Sequence, residues 1–118
     1  GDPYQCYCQK TSRLIIEKYS EIKIQTTFQS RFGPREWLKP YTDKTLENLP
    51  KEGIKNVLVI CPGFASDCVE TLEEISIQGK ESFIKHGGNN FDLIPCLNDS
   101  PDHIQLFETM IKKYLVKK

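Results

Sequence analysis

Residues 57–61 are apolar without interruption: Val57, Leu58, Val59, Ile60 and Cys61. A short, β-rich run without alternation predicts a strand buried on both faces, as a parallel sheet requires. Pro62 and Gly63 end it. Asp67 then precedes Glu70 by three residues, a capping-box spacing that predicts a helix start. The helix is expected to run to about His86 and to stop at Gly87-Gly88, a left-handed cap. Val69, Leu72 and Ile75 write its apolar stripe. Glu70, Glu74 and Gln78 fall at i, i+4 and i+8, so they line up as a polar ladder on another face.

The same patterning divides the rest of the chain. Gly1 to Tyr4 reads as a loop. A helix follows over about residues 5–19, with Leu14, Ile15 and Tyr19 facing inward. Residues 22–28 alternate with period two and predict a strand nearer an edge. Gly33, Pro34, Trp37 and Pro40 punctuate a loop. Thr42 or Asp43 caps a short helix through Leu46 and Leu49, which Pro50 ends or kinks. Residues 91–97 form a third strand, weakened by Pro95. Asp99 or Ser100 caps the last helix, with Pro101 in its first turn. Its buried stripe is Ile104, Phe107, Ile111 and Leu115, joined by Met110 and Tyr114. Lys112, Lys113, Lys117 and Lys118 suit the negative end of the helix dipole. Helices and strands therefore alternate, which predicts an α/β layered domain, Rossmann-like, with a parallel sheet and right-handed crossovers.

With 118 residues the chain is one domain, 1–118, able to hold a modest core. Sixteen basic residues balance sixteen acidic ones, which argues against a general nucleic-acid binder. No apolar run reaches the ~20 residues of a membrane span. The start, Gly1-Asp2-Pro3, carries no signal-peptide pattern. Five cysteines read as reduced thiols of a cytoplasmic protein. Cys6-x-Cys8 has no second pair at zinc-site spacing.

Several blocks carry a resemblance. CPGFASDCVETLEEI (residues 61–75) is similar to the signature of ferrochelatase, the enzyme that inserts ferrous iron into protoporphyrin. FQSRFGPREWLKPYT (residues 28–42) resembles a second signature. GDPY at residues 1–4 and LNDSP at residues 97–101 also match. The four blocks keep the family's order and cover nearly the whole chain, which looks closest to proteobacterium-like members. The resemblance covers only the C-terminal part of a family chain. It implies a three-layer chelatase domain lacking its first strand, the second of two domains that face a porphyrin cleft. It implies protoporphyrin IX and Fe2+ as substrates and the missing N-terminal part of the enzyme as partner. No nucleic acid and no resident cofactor are implied. No cysteine follows Cys96, so the family's C-terminal iron–sulfur cluster is not expected. The family's catalytic histidine lies on a strand before GDPY, and nothing precedes Gly1 here, so the chain is expected to be inactive alone. The implied place is the cytoplasm, or the periphery of a membrane.

The site residues follow in two groups. Metal insertion needs groups that accept two pyrrole protons and strip water from iron, and carboxylates do both. Crowded carboxylates raise one another's pKa, and Glu70 and Glu74 one turn apart are placed for that. The resemblance makes Glu70 the proton acceptor or relay and puts Glu74 on the metal or proton path. By spacing alone Glu70 reads first as the capping partner of Asp67. Cys68 stands where many members have histidine; it is a metal contact or a small packed residue. Gln78 replaces a family carboxylate and cannot take up a proton. Glu73 reads as solvated. The second group is Gln29, Ser30 and Trp37, assigned by resemblance to porphyrin binding: Ser30 near a propionate, Trp37 in the pocket wall. Without the resemblance Trp37 reads as a loop anchor packed on the core; Arg31 and Arg35 read as surface charge or as partners of propionates. His86 and His103 read as surface or capping residues. The alternative reading is a non-catalytic module that holds porphyrin or haem.

Overall fold

The computed structural model describes residues 1–29 and 36–116. Its elements are α1 (Tyr4–Lys18), α2 (Thr42–Asn48), a 3-10 turn (Leu49–Glu52), β1 (Asn56–Val59), a π-helical segment (Glu70–Gly79) running straight into α3 (Lys80–Lys85), β2 (Asn90–Leu93) and α4 (Pro101–Val116). The fold is α/β with a parallel sheet. Among the described residues the sheet has two strands, with Asn56 opposite Asn90 and Val59 opposite Leu93. The ladder continues past β2, where the Ile94 amide donates to the Val59 carbonyl at 2.8 Å.

The core sits where α2, the π-helical segment, α3 and β2 converge. Leu46, Ile75, Phe83 and Phe91 are buried there, with Leu49, Val57, Val59, Cys61 and Leu93 packed around them. Phe83 is fully buried and its ring lies 6.1 Å from that of Phe91. Burial of a ring of this size contributes about 1.5–3 kcal/mol. The α3 exit is a Schellman cap, as Gly87-Gly88 predicts: the Gly87 amide donates to Ile84 and the Gly88 amide to Phe83, with φ of Gly87 at 109°. A Cβ on Gly88 would run into the Phe83 ring, so both glycines are required for different reasons. His86 acts as a cap, its Nδ1 donating to the Ser82 carbonyl at 2.7 Å.

Several expectations are corrected. The strand at residues 57–61 is covered on one face only: Val57 and Val59 are half-buried, while Leu58 and Ile60 are exposed. The helices over the core cover one side of β1, and neither α1 nor α4 makes more than marginal contact with another element. Residues 22–28 form no strand; only Phe28 bridges to Tyr41, through Phe28 N to Pro40 O (2.9 Å) and Thr42 N to Phe28 O (3.0 Å). Alternation gives a strand its faces, but a ladder needs a neighbour along its length, and Phe28 alone has one. The stripe of α4 is exposed throughout, as are Leu14 of α1 and Tyr19 just after it. His103 is buried instead, not at the surface. Ser100 stands at the cap position, its carbonyl accepting from the Ile104 amide at 3.0 Å, but it makes no side-chain cap; its hydroxyl is buried without a partner.

Candidate functional site

The site is built on the turn that follows β1. The chain reverses at Pro62-Gly63, the Phe64 amide donating to the Cys61 carbonyl at 3.1 Å. Asp67 then becomes a hub rather than the capping-box residue its spacing suggests. Its carboxylate accepts from the Thr71 hydroxyl (2.9 Å), the Asn98 side-chain amide (2.9 Å) and the Cys96 backbone amide (3.2 Å). Its own amide donates back to Asn98 Oδ1 at 2.8 Å. Local capping is left to Thr71, whose hydroxyl accepts from the Cys68 amide at 3.0 Å. The Asn98 amide, then the Cys96 thiol and the Thr71 hydroxyl, hold the Asp67 carboxyl below its ordinary range. Burial first, and then the neighbouring Asp67, push the Cys96 thiol up to about 11. The Cys61 thiol is also raised, by burial and then by the charge of Asp67. Both remain protonated donors at neutral pH.

Asn98 reaches this position in a left-handed conformation, φ 49°, which asparagine tolerates better than most residues. Its carbonyl accepts from His103 Nδ1 at 2.6 Å, and the His103 ring packs 4.4 Å from Phe107. The start of α4 is thus tied through Asn98 to the start of the π-helical segment. Pattern reading missed Thr71 and His103. Thr71 lies one turn after Asp67 and His103 just after LNDSP; those offsets were the only signals.

Hydrogen bonds from i to i+5 turn each residue less than in an α-helix, so residues four apart form one row. Thr71, Ile75 and Gly79 are that buried row. The expected stripe is corrected accordingly: Ile75 is buried, while Val69 and Leu72 are exposed. Glu70, Glu74 and Gln78 form the adjacent row. Glu70 and Glu74 are half-buried and Gln78 is exposed; Glu73 is exposed, as read. The Cys68 side chain, then Glu70's own backbone amide, hold the Glu70 carboxyl below its ordinary range. Crowding therefore does not raise Glu70; donors around it act the other way.

Gln29 joins this row from across the chain. Its Nε2 donates to the Glu70 carbonyl at 3.0 Å and to Glu74 Oε2 at 3.4 Å, and its Oε1 faces the Cys61 thiol at 4.0 Å. The structure thus brings Glu70, Glu74, Cys68 and Gln29 together. Trp37 is exposed on the segment leading to Tyr41, and its amide faces the Tyr41 hydroxyl at 3.4 Å. It is not packed as a core anchor. Ser30, with Arg31 and Arg35, lies outside the described residues. Among the described residues no three His, Cys, Asp or Glu side chains gather closely enough to hold a metal ion, so Glu70, Glu74 and Cys68 do not form a ready-made ligand set. A hollow of about 280 Å³ beside the π-helical segment is lined by Asp67, Ser76, Lys80 and Asp92 among others, and an apolar one of about 420 Å³ runs along α4. Neither is lined by the glutamate row. No helix among the described residues is long and apolar enough to cross a membrane.

A half-buried carboxylate pair at the carboxyl end of a parallel strand lies where open α/β sheets bind ligands. A family model, Ferrochelatase, matches residues 1–115. The ferrochelatase of Rhizobium meliloti (strain 1021) is 56% identical over 117 residues, which are 98% of this chain and 34% of that protein. The ferrochelatase of Allorhizobium ampelinum is 55% identical over the same shares. That of Pseudoalteromonas atlantica is 51% identical over 98% of this chain and 32% of its own. The chain spans about a third of the length of the curated relatives it matches. A family model covering all but its last three residues, together with identities above half, means that this chain belongs to the ferrochelatase family.

Proposed function

We propose that this chain supplies the glutamate side of a metal-insertion site that places Fe2+ in protoporphyrin IX, giving protohaem in haem biosynthesis. The observation that carries the reading is the geometry of the glutamate row: Glu70 and Glu74 stand one step apart beyond the end of β1, with Gln29 Nε2 bonded to the Glu70 carbonyl at 3.0 Å and 3.4 Å from Glu74 Oε2. Insertion releases two protons from the pyrrole nitrogens as iron takes their place. Glu70, ionised at neutral pH, accepts a pyrrole proton, and Glu74 passes it along the row. Iron is the substrate, handed past Glu70, Glu74 and Cys68 rather than held by them. Trp37 offers a flat apolar face to the macrocycle and Ser30 a hydroxyl to a propionate. The facing wall of the cleft and the histidine come from the other two-thirds of a family-length chain.

The test is metal insertion followed by absorbance, with ferrous iron or zinc and protoporphyrin. The 118-residue chain is assayed alone and with the N-terminal two-thirds of the Rhizobium meliloti relative added. Turnover is expected in the mixture. Glu70→Gln is expected to lower it by about 10²–10⁴-fold, the usual contribution of positioned proton transfer. An unchanged rate in that variant would remove Glu70 from the reaction.

A further inference from the structure

Gln29 falls within the block that resembles a porphyrin-contacting signature, yet its side chain is committed elsewhere. Both acceptors near its amide nitrogen belong to the π-helical segment: the Glu70 carbonyl at 3.0 Å and Glu74 Oε2 at 3.4 Å. Its oxygen faces a donor, the Cys61 thiol, at 4.0 Å. A flipped amide would set oxygen against two acceptors, so the neighbours fix its orientation. The backbone before it is fixed as well. Buried Phe28 is pinned on both sides, by Pro40 O and Thr42 N. One amide group therefore spans the end of β1, the backbone of Glu70 and the carboxylate of Glu74. Those are the groups whose relative placement a proton path along the row needs.

From this we infer that Gln29 is a positioning residue: its side-chain amide orients the Glu74 carboxylate and anchors the first turn of the π-helical segment, and it does not bind porphyrin. The consequence for metal insertion rests on the proposed function; the consequence for packing does not. A misplaced carboxylate slows proton transfer without loosening the macrocycle, because small displacements of reacting groups cost rate more than binding.

The experiment has two independent arms. In the first, urea unfolding is measured for the chain, Gln29→Glu, Glu74→Gln and the double exchange. Gln29→Glu keeps the shape but removes the donor. The double exchange restores a donor at 74 facing an acceptor at 29. The exchange is expected to be more stable than the sum of the single changes by about fivefold or more in the unfolding constant. Additive effects would overturn the inference. Should a single variant fail to fold, the Gln29 side-chain amide resonances are compared between the parent and Glu74→Gln by NMR. A shift is expected, and its absence overturns the inference. In the second arm, Gln29→Met is assayed in the complemented mixture. A fall in kcat of about 10- to 100-fold with unchanged KM for porphyrin is expected. A raised KM with unchanged kcat would make Gln29 a porphyrin contact. A parent mixture without turnover would count against the proposed function alone, and the first arm would still decide the role of Gln29.

Discussion

The unit from α2 to β2 and the two terminal helices obey the same apolar patterning and reach opposite ends of it. In the central unit, Leu46, Ile75, Phe83 and Phe91 close on one another. In α4, Phe107, Met110, Ile111, Tyr114 and Leu115 line an open apolar hollow, and α1 buries no residue. The overall dimensions record the split. The radius of gyration is 16.6 Å, with extents of 56 × 32 × 29 Å, against about 13.5 Å for a compact domain of this length. A stripe in the sequence states that a face is apolar; whether it is covered depends on what lies opposite. For α4, His103 at its start is buried, while Phe107, Met110, Ile111 and Leu115 stay exposed.

The sharpest way to break this comparison is to cut the same kind of side chain from each region. Phe83→Ala empties a fully enclosed site and is expected to cost about 3–5 kcal/mol in urea unfolding, enough to unfold a marginal chain. Ile111→Ala removes a residue that is 58% exposed and is expected to change stability by about 0.5 kcal/mol or less. Comparable losses at the two positions would mean that α4 is packed in solution and that the division drawn here is false.

The second difference is electrostatic and lies at the seam. Asp67 belongs to the central unit, but its partners Cys96 and Asn98 lead into α4. Its carboxyl is held below the unfolded value of 3.8. The stability it contributes is therefore fully present above that value and is lost as pH falls through the lower, folded value. Stability of the parent is expected to drop with acid below about pH 3.8 more steeply than that of Asp67→Asn, measured by urea unfolding at stepped pH. Parallel curves would mean that the hub carries no charge-dependent stability.

Local rules were the legible ones. The turn at Pro62-Gly63, the cap at Gly87-Gly88 and the entry of α4 at Pro101 each depend on residues beside them, and each is where the pattern puts it, although β1 already ends at Val59. The glutamate row was legible for the same reason, since a spacing of four aligns side chains in either winding. What depends on distant chain was not. Asp67 reads as a cap because its partner Asn98 lies 31 residues away. Residues 22–28 read as a strand because alternation says nothing of a neighbouring ladder. Leu72 reads as core because it is apolar, yet it is exposed, while polar Thr71 is buried against Asp67. Gln29 is assigned to porphyrin by resemblance, and its contacts with Glu70 and Glu74, 41 and 45 residues on, have no local signal in the sequence.

The smallest expected effect tests the exposed side of the comparison. Lys112 Nζ and Glu108 Oε1 stand 2.9 Å apart on α4, four residues apart and with both side chains largely in water. Glutamate N-terminal to lysine is the favourable order for such a pair. An exposed stretch of helix feels mainly such local terms, so Lys112→Ala is expected to cost about 0.3–0.5 kcal/mol at low salt. In 1 M salt, where the screening length falls to about 3 Å, the difference should vanish. Urea unfolding at the two salt concentrations measures both. A loss above about 1 kcal/mol that survives salt would not come from this ion pair. It would show that the lysine's alkyl stem covers apolar surface, and that α4 is held by a packing the open hollow does not display.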